Sequence, residues 1–439
     1  GIETSRFADG DIQNSKEFRV NTYTPDSQSD PSITALNDGG FVVTWMSYGQ
    51  DGSFEGIYAQ RYDANGVVQG SEFRINTYTA AAQYLPSITG LIAGGFVVTW
   101  TSLHQDGYNE GIYAQRYDAN GAAQGTEFRV NAETVETQYD PSITALTDGG
   151  FVVTWTSYVS GYDIYAQRYD SNGAAQGSEF RVNTYLTDYQ FHPSITALTT
   201  GGFAVTWMSA GQDGSSWGIY AQRYDANGGV QGSEFRVNTY TTNSQEWPSI
   251  TALNGGGFVV TWASQDGSGV GIYAQRYDAN GVAQGSEFQV NTYATDSQTG
   301  PSITALNDGG FVVTWTSQGQ DGSGDGIYAQ RYDANGATQG SEFQVNTYTT
   351  DSQSDPSITA LTDGGFVVTW ASLGQDGSGY GIYAQRYDAN GESVGGLALT
   401  GSANDDHLHV SASTVTPAKL WGMAGNDVLQ GGTGNDILD

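Results

Sequence analysis

Along most of the chain, apolar and polar positions alternate in short runs, and no capped segment carries a helical period. In "GFVVTW" (310–315), Phe311, Val313 and Trp315 share one face while Val312 and Thr314 share the other. Both sets suit burial, as in a strand covered on both sides. The same unit contains "PSITAL" (301–306), "GIYAQRYD" (326–333) and "SEFQVNTY" (341–348), each rich in β-branched and aromatic residues and bounded by Gly, Asn, Asp or Pro. "NDGG" and "DANG" are tight-turn sequences, because Gly and Asn accept positive φ at little cost. One unit therefore predicts four short antiparallel strands.

The unit then recurs. Trp45, Trp100, Trp155, Trp207, Trp262, Trp315 and Trp370 mark seven copies, spaced 55, 55, 52, 55, 53 and 55 residues apart. Seven four-stranded units of this period predict an all-β, seven-bladed β-propeller, with a sandwich array or β-prism as the alternative. "EFRVN" (17–21) precedes the first "PSITAL", whereas the slot after the last "DANG" reads "ESVGGLALTG". The N-terminal strand is thus expected to complete the last blade and close the ring. Gly1, Ile2, Arg6 and Phe7 align with "GIYAQRY", which leaves open a clasp two strands wide or a longer array. The propeller is assigned to residues 1–395 and a second domain to 396–439.

Letters that never change read as frame. Seven Arg of "AQRYD" recur with seven Glu of "EF", which suggests a carboxylate–guanidinium pair between adjacent strands of each blade. The seven Trp read as core. The Gln three residues before each "PSIT" Pro, such as Gln28 and Gln353, is expected to bond loop backbone.

Composition narrows the partners. Asp+Glu 47 against Lys+Arg 15 gives a net charge of −32, which argues against nucleic acid and anionic membrane and suits cations, basic surfaces or neutral ligands such as glycans. There is no Cys, so neither disulfides nor thiolate metal sites are available, and no apolar run approaches a membrane span. With Gly1 in place of Met and no signal peptide, the chain reads as a piece of something longer.

The letters that do change lie before "PSITAL" and after "TW", two places that emerge on one face of a propeller. They are unusually aromatic, and the candidate ligand-binding residues are Tyr84, Tyr108, Tyr139, Tyr162, Tyr189, Phe191, Trp217, Trp247 and Tyr380. His104, Tyr158 and His192 lie among them. Interleaved acids include Asp106, Glu110, Asp140, Asp163, Asp188, Asp213, Glu246 and Asp376. Rings for stacking beside hydroxyl acceptors suit a glycan or protein surface. The alternative is that the rings pack against neighbouring loops. "QDGSGDG" (320–326) reads as a turn rather than a calcium loop, since its carboxylates are too few.

The tail carries consecutive nonapeptides, "GMAGNDVLQ" (422–430) and "GGTGNDILD" (431–439), of the form G-G-x-G-x-D-x-L-x, after a degenerate "GSANDDHLH" (401–409). This segment resembles the RTX family of haemolysin-type calcium-binding repeats. The resemblance implies a parallel β-roll, incomplete here, with calcium held by Asp427 and Asp436. The carbonyls of Gly422, Gly425, Gly431 and Gly434 would lie nearby, with Asp406 in the degenerate turn. Met423 stands where the pattern has Gly. The resemblance also implies a secreted or cell-surface protein exported by a type I system. The propeller units resemble repeats of large bacterial RTX-type surface proteins.

There is no HExxH and no G-x-S-x-G nucleophile elbow, and Glu110, Asp163 and Glu246 are the carboxylates that could serve a glycosidase. The expectation is a non-catalytic propeller acting as a glycan- or protein-binding, adhesive module that does not insert into membranes. The alternatives are a structural or docking subunit of a cell-surface assembly and, behind it, a propeller glycosidase or lyase.

Overall fold

The computed structural model describes residues 17–158, 161–265 and 269–394 with their side chains, and 11–13, 397–400, 407–409, 418–421, 428–430 and 437–438 by backbone alone. The described elements are strands throughout, with no helix among them. Two compact units divide the chain: residues 19–384, and residues 1–18 together with 385–439.

The larger unit is the propeller. Each blade is a four-stranded antiparallel meander, the first running Gln28–Ala35, Phe41–Tyr48, Glu55–Tyr62 and Val68–Arg74. Six further blades begin at Gln83, Gln138, Gln190, Gln245, Gln298 and Gln353. The seventh sheet takes Glu17–Arg19 as its outer strand, as the sequence leads one to expect. Val20 N–H donates to Ile382 O at 2.7 Å and Ile382 N–H donates to Asn21 Oδ1 at 2.7 Å, closing the ring. Blades 5 and 7 have shortened outer strands, Phe288–Gln289 in blade 5 and Glu17–Arg19 with Ser393–Val394 in blade 7.

The core lies between blades. Val97 and Ile112 of blade 2 pack with Phe151, Val153 and Trp155 of blade 3, and the pattern repeats around the ring. All seven marker Trp are at most 1% exposed. Both faces of each second strand are buried, which is why "GFVVTW" is apolar throughout rather than alternating.

Hydrogen bonds join the blades as regularly as the apolar contacts do. Each innermost strand offers a Thr Oγ1 to a backbone N–H of the next blade: Gly90 on Thr34 at 2.9 Å, Ala145 on Thr89 at 3.1 Å, and so on to Ala35 on Thr359 at 3.2 Å. On the same rung, two strands further out, the repeated Arg grips the neighbouring "DANG" turn, which reads "DSNG" in blade 3. Arg116 donates to Asn172 O and Ser171 O, each at 2.6 Å. The repeated Glu accepts instead from the loop before its blade, Thr22 N–H reaching Glu72 Oε2 at 2.6 Å. The expected Arg–Glu pair within each blade is therefore corrected. Both ions serve backbone of an adjoining segment, where unpaired N–H and C=O groups would otherwise be costly. The repeated Gln does bond loop backbone, Gln28 Nε2 donating to Pro25 O at 2.9 Å.

In the smaller unit, Asp11–Gln13 pairs antiparallel with Leu397–Thr400, and Leu397–Thr400 pairs parallel with Ala418–Trp421. Lys419 pairs with Ile437, two nonapeptides further on, the register of a parallel roll with two repeats per coil.

Candidate active site

Each innermost strand starts three residues before its Pro, earlier than "PSITAL" suggests, so the variable letters before that motif belong to the strand. The register shifts between the second and fifth residues of this strand, for example between Tyr139 and Ser142. The third residue sits in this bulge with left-handed backbone. It is Asp30 (φ 51°), Leu85 (52°), Asp140 (59°), His192 (52°), Trp247 (52°), Gly300 (58°) or Asp355 (55°). Left-handed backbone costs a non-glycine residue about 1–2 kcal/mol. Six of the seven blades bear this cost with Asp, Leu, His or Trp. A bulge re-aims the side chain it carries, and retained strain of this kind concentrates at functional sites.

Electrostatic interactions link four of these residues, Asp355, Asp30, Asp140 and His192, across blades at the mouth of the ring. Burial raises the Asp30 carboxyl to about 6, and the nearby carboxylates of Asp355 and Asp140 add to the rise. A hydrogen bond from Ser29 opposes it without cancelling it. His192 Nδ1 lies 2.7 Å from Asp140 Oδ2. Burial alone would lower the His192 pKa. The Asp140 charge and hydrogen bond outweigh burial, with a further contribution from Glu246, so the imidazolium is favoured. Asp355, Asp30, Asp140, His192 and Glu246 thus form a continuous run of interacting groups from blades 7, 1, 3, 4 and 5.

Two further variable positions per blade surround the mouth: the residue before the bulge and the first residue of the third strand. Together they bring Tyr139, Tyr162, Phe191 and Trp217 into one cluster, joined by Tyr189 from just before the strand of blade 4. Tyr162 centres 6.1 Å from Tyr139, 5.5 Å from Tyr189 and 4.7 Å from Phe191, and Phe191 lies 5.5 Å from Trp217. Tyr158 joins at 4.8 Å from Tyr162. Tyr84 stands apart, its hydroxyl donating to Glu110 Oε1 at 2.8 Å. Burial, reinforced by that bond, raises the Tyr84 pKa. Tyr380 of blade 7 lies near Asp355 of its own blade and Asp325 of blade 6, and has its pKa raised by burial first and by those two acids second. Tyr108 is exposed in a hairpin tip, and Trp247 is exposed at its bulge.

The three carboxylates put forward for a glycosidase take other parts. Glu110 is held by Tyr84, and Asp163 accepts from Asn183 Nδ2 at 2.6 Å and lies 4.0 Å from Arg181. Glu246 acts on His192. The group that composition and spacing missed is Asp30, together with Asp355. Both read "SDP" in "QSDPSIT", letters that look like repeat background. The signal lies in alignment of the copies, where this column runs through Asp, Leu, His, Trp and Gly. The calcium residues Asp406, Gly422, Gly425, Asp427, Gly431, Gly434 and Asp436 lie outside the described residues. Among the described residues, no group of three or more His, Asp or Glu is arranged to hold a metal ion.

Comparison with known proteins follows the same division. The RTX calcium-binding nonapeptide repeat (4 copies) matches residues 419–439. No curated protein sequence matches the chain. Among solved structures, the chain is similar to an ulvan lyase of a new polysaccharide lyase family, at TM-score 0.53 and 11% identity over 85% of this chain and 97% of that one. It is also similar to a protein of unknown function from Dyadobacter fermentans, at TM-score 0.52 and 10% identity over 85% and 98%. An α-L-arabinanase from Penicillium chrysogenum follows at TM-score 0.48 and 14% identity over 84% and 98%. The ulvan lyase is an enzyme on this architecture. That finding corrects the expectation of a non-catalytic binding, adhesive or docking module and the expectation that the chain is not an enzyme. At these identities the likeness is one of fold, so the chemistry has to come from the mouth itself.

Proposed function

We propose that the propeller is a polysaccharide-cleaving enzyme whose reaction centre is the mouth ring, and that it hydrolyses a neutral glycan. The observation that carries this reading is Asp30, a carboxyl raised to about 6 beside two other carboxylates. Splitting the proton affinities of neighbouring carboxyls is how one site comes to hold an acid and a base together. Asp30 donates its proton to the glycosidic oxygen as the C–O bond breaks. Asp355, exposed and held by Ser354 Oγ at 2.9 Å, takes a proton from the water that adds to the anomeric carbon. His192 holds Asp140 in place. A net charge of −32 disfavours a polyanionic substrate.

A second reading is elimination on a uronic-acid polysaccharide. The His192–Asp140 pair favours it, because an imidazolium can offset a substrate carboxylate. Ulvan lyase, itself solved with -[GlcA(1-4)Rha3S]- bound, supplies the fold precedent. One assay separates the two: neutral and uronate polysaccharides are incubated with the purified chain, and both reducing ends and the ultraviolet absorbance of unsaturated uronic ends are followed. Reducing ends without new absorbance mean hydrolysis, and both together mean elimination. Neither product from any substrate would remove the enzymatic reading.

The tail is read as a calcium-folded RTX roll, with Asp427 and Asp436 as ligands, on a chain exported by a type I system to the cell exterior. Its matched repeats support this. No described helix is long and apolar enough to cross a membrane. Membership of a large RTX surface protein, within a cell-surface assembly, belongs to the same proposal.

A further inference from the structure

The mouth is not uniform around the ring. Blades 6, 7 and 1 carry Asp325, Asp355 and Asp30 at its variable positions, whereas blades 3 and 4 carry rings. The rings meet at tilts of 45–48° (Phe191 to Trp217 and to Tyr162) or edge-on (Tyr139 to Tyr162, 87°), rather than stacked face to face. The cluster is only partly covered, with Tyr189 49% exposed. The repeat-invariant Phe–Tyr pairs differ in burial rather than in tilt: Phe41 and Tyr62 stack at 11° and Phe128 and Tyr169 tilt at 56°, with Phe41, Tyr62 and Tyr169 buried. An apolar patch left open on so acidic a chain points to a ligand that is itself amphipathic and uncharged.

Resting on the reading of Asp30 as the acid of a glycan-cleaving site, we propose that the rings of blades 3 and 4 form a stacking platform for the sugars flanking the cut. The chain therefore engages several consecutive sugars of a neutral, linear polysaccharide. Continuity with the centre is built into the strands, since Tyr139 directly precedes Asp140 and Phe191 directly precedes His192. Sugar C–H faces pack on aromatic rings, while the tyrosine hydroxyls and nearby acids take up sugar hydroxyls. A platform of this reach gives an enzyme that discriminates by chain length, because sugars far from the cut add to binding.

The test uses the whole chain carrying Asp30→Asn, so that ligand survives, titrated calorimetrically with arabinohexaose, xylohexaose and cellohexaose and with their dimers. At least one hexamer is expected to bind, ten-fold or more tighter than its dimer. Adding Phe191→Ala or Trp217→Ala is expected to abolish that difference while leaving dimer binding unchanged. A hexamer that binds no better than its dimer, a folded protein that binds none of the three, or ring variants that bind like their parent would each overturn the platform. Phe191→Tyr and Trp217→Phe, which keep the ring, should retain the preference. The cleavage reading stands or falls separately. Length-dependent binding without cleavage of any of these sugars by the unsubstituted chain would support the platform and count against Asp30 as its acid.

Discussion

The frame of the propeller and its mouth are made from the same seven sequences, yet they obey opposite rules. In the frame, a given position has one residue and one kind of partner: Thr the next N–H, Arg the next turn, Glu the loop before it. In the mouth, a given position has one backbone conformation and almost as many side chains as there are blades. Repetition sets where a side chain will stand, and variation sets which chemistry stands there. A single copy could not provide this, because no isolated blade covers its own faces or surrounds a space.

The comparison breaks most visibly in the frame. Trp155→Ala, at 1% exposure between blades 2 and 3, should cost about 3–5 kcal/mol in a denaturant titration. The mouth residues of distant blades should keep their pKa values for as long as the ring remains closed.

Asp30→Asn should act in reverse, removing function and adding stability. Loss of the acid lowers the rate of polysaccharide cleavage by about 10²–10⁴-fold. A carboxyl moved from 3.8 to about 6 destabilises the folded state by up to ~3 kcal/mol at neutral pH, and the amide lifts that penalty. The sign follows from proton binding. Between about 4 and 6 the folded chain holds the Asp30 proton more tightly than the unfolded chain, so stability falls as pH rises through that window. Thermal melts across it should show the slope in the parent and its loss in the variant. His192 has a raised pKa, so its contribution is fully present below 6.5 and is lost as pH rises through the folded value. Activity should therefore decline on the alkaline side as Asp30 and His192 lose their protons.

Smaller effects sharpen the contrast. Arg116→Ala removes two charge-assisted bonds to the neighbouring turn and should cost about 1–3 kcal/mol, readable as a lowered denaturation midpoint with cleavage intact. Gly300→Ala is the smallest. A Cβ there meets nothing within 4 Å, so only the left-handed backbone resists it, at about 1 kcal/mol by thermal shift. A markedly larger cost would mean that the bulge of blade 6 differs from the six that carry side chains.

The frame was legible because its rules are local and repeated. Phe311, Val313 and Trp315 declare a doubly buried strand, and the period counts the blades. The misreadings arose where partners lie outside the blade. Arg and Glu looked like a pair because both are constant, but each is constant because the backbone it serves is constant. Asp30 and Asp355 were hidden for a different reason. Their significance lies in crowding around an axis, and sequence order places them 325 residues apart. The rings were visible as residues, and their contacts were not. Tyr84 is spent on Glu110, Tyr380 sits among acids, and five others meet.

The clasp has a consequence for the order of events in the cell. A ribosome delivers Asn21 well before its partner Ile382, which follows 361 residues later. The circle can be completed only after nearly all of it has been synthesised. Until then, Glu17–Arg19 has no strand to pair with and stays open to pairing with another chain. Once shut, the ring has no free end from which to unravel, and opening it requires the first segment made to let go of the last.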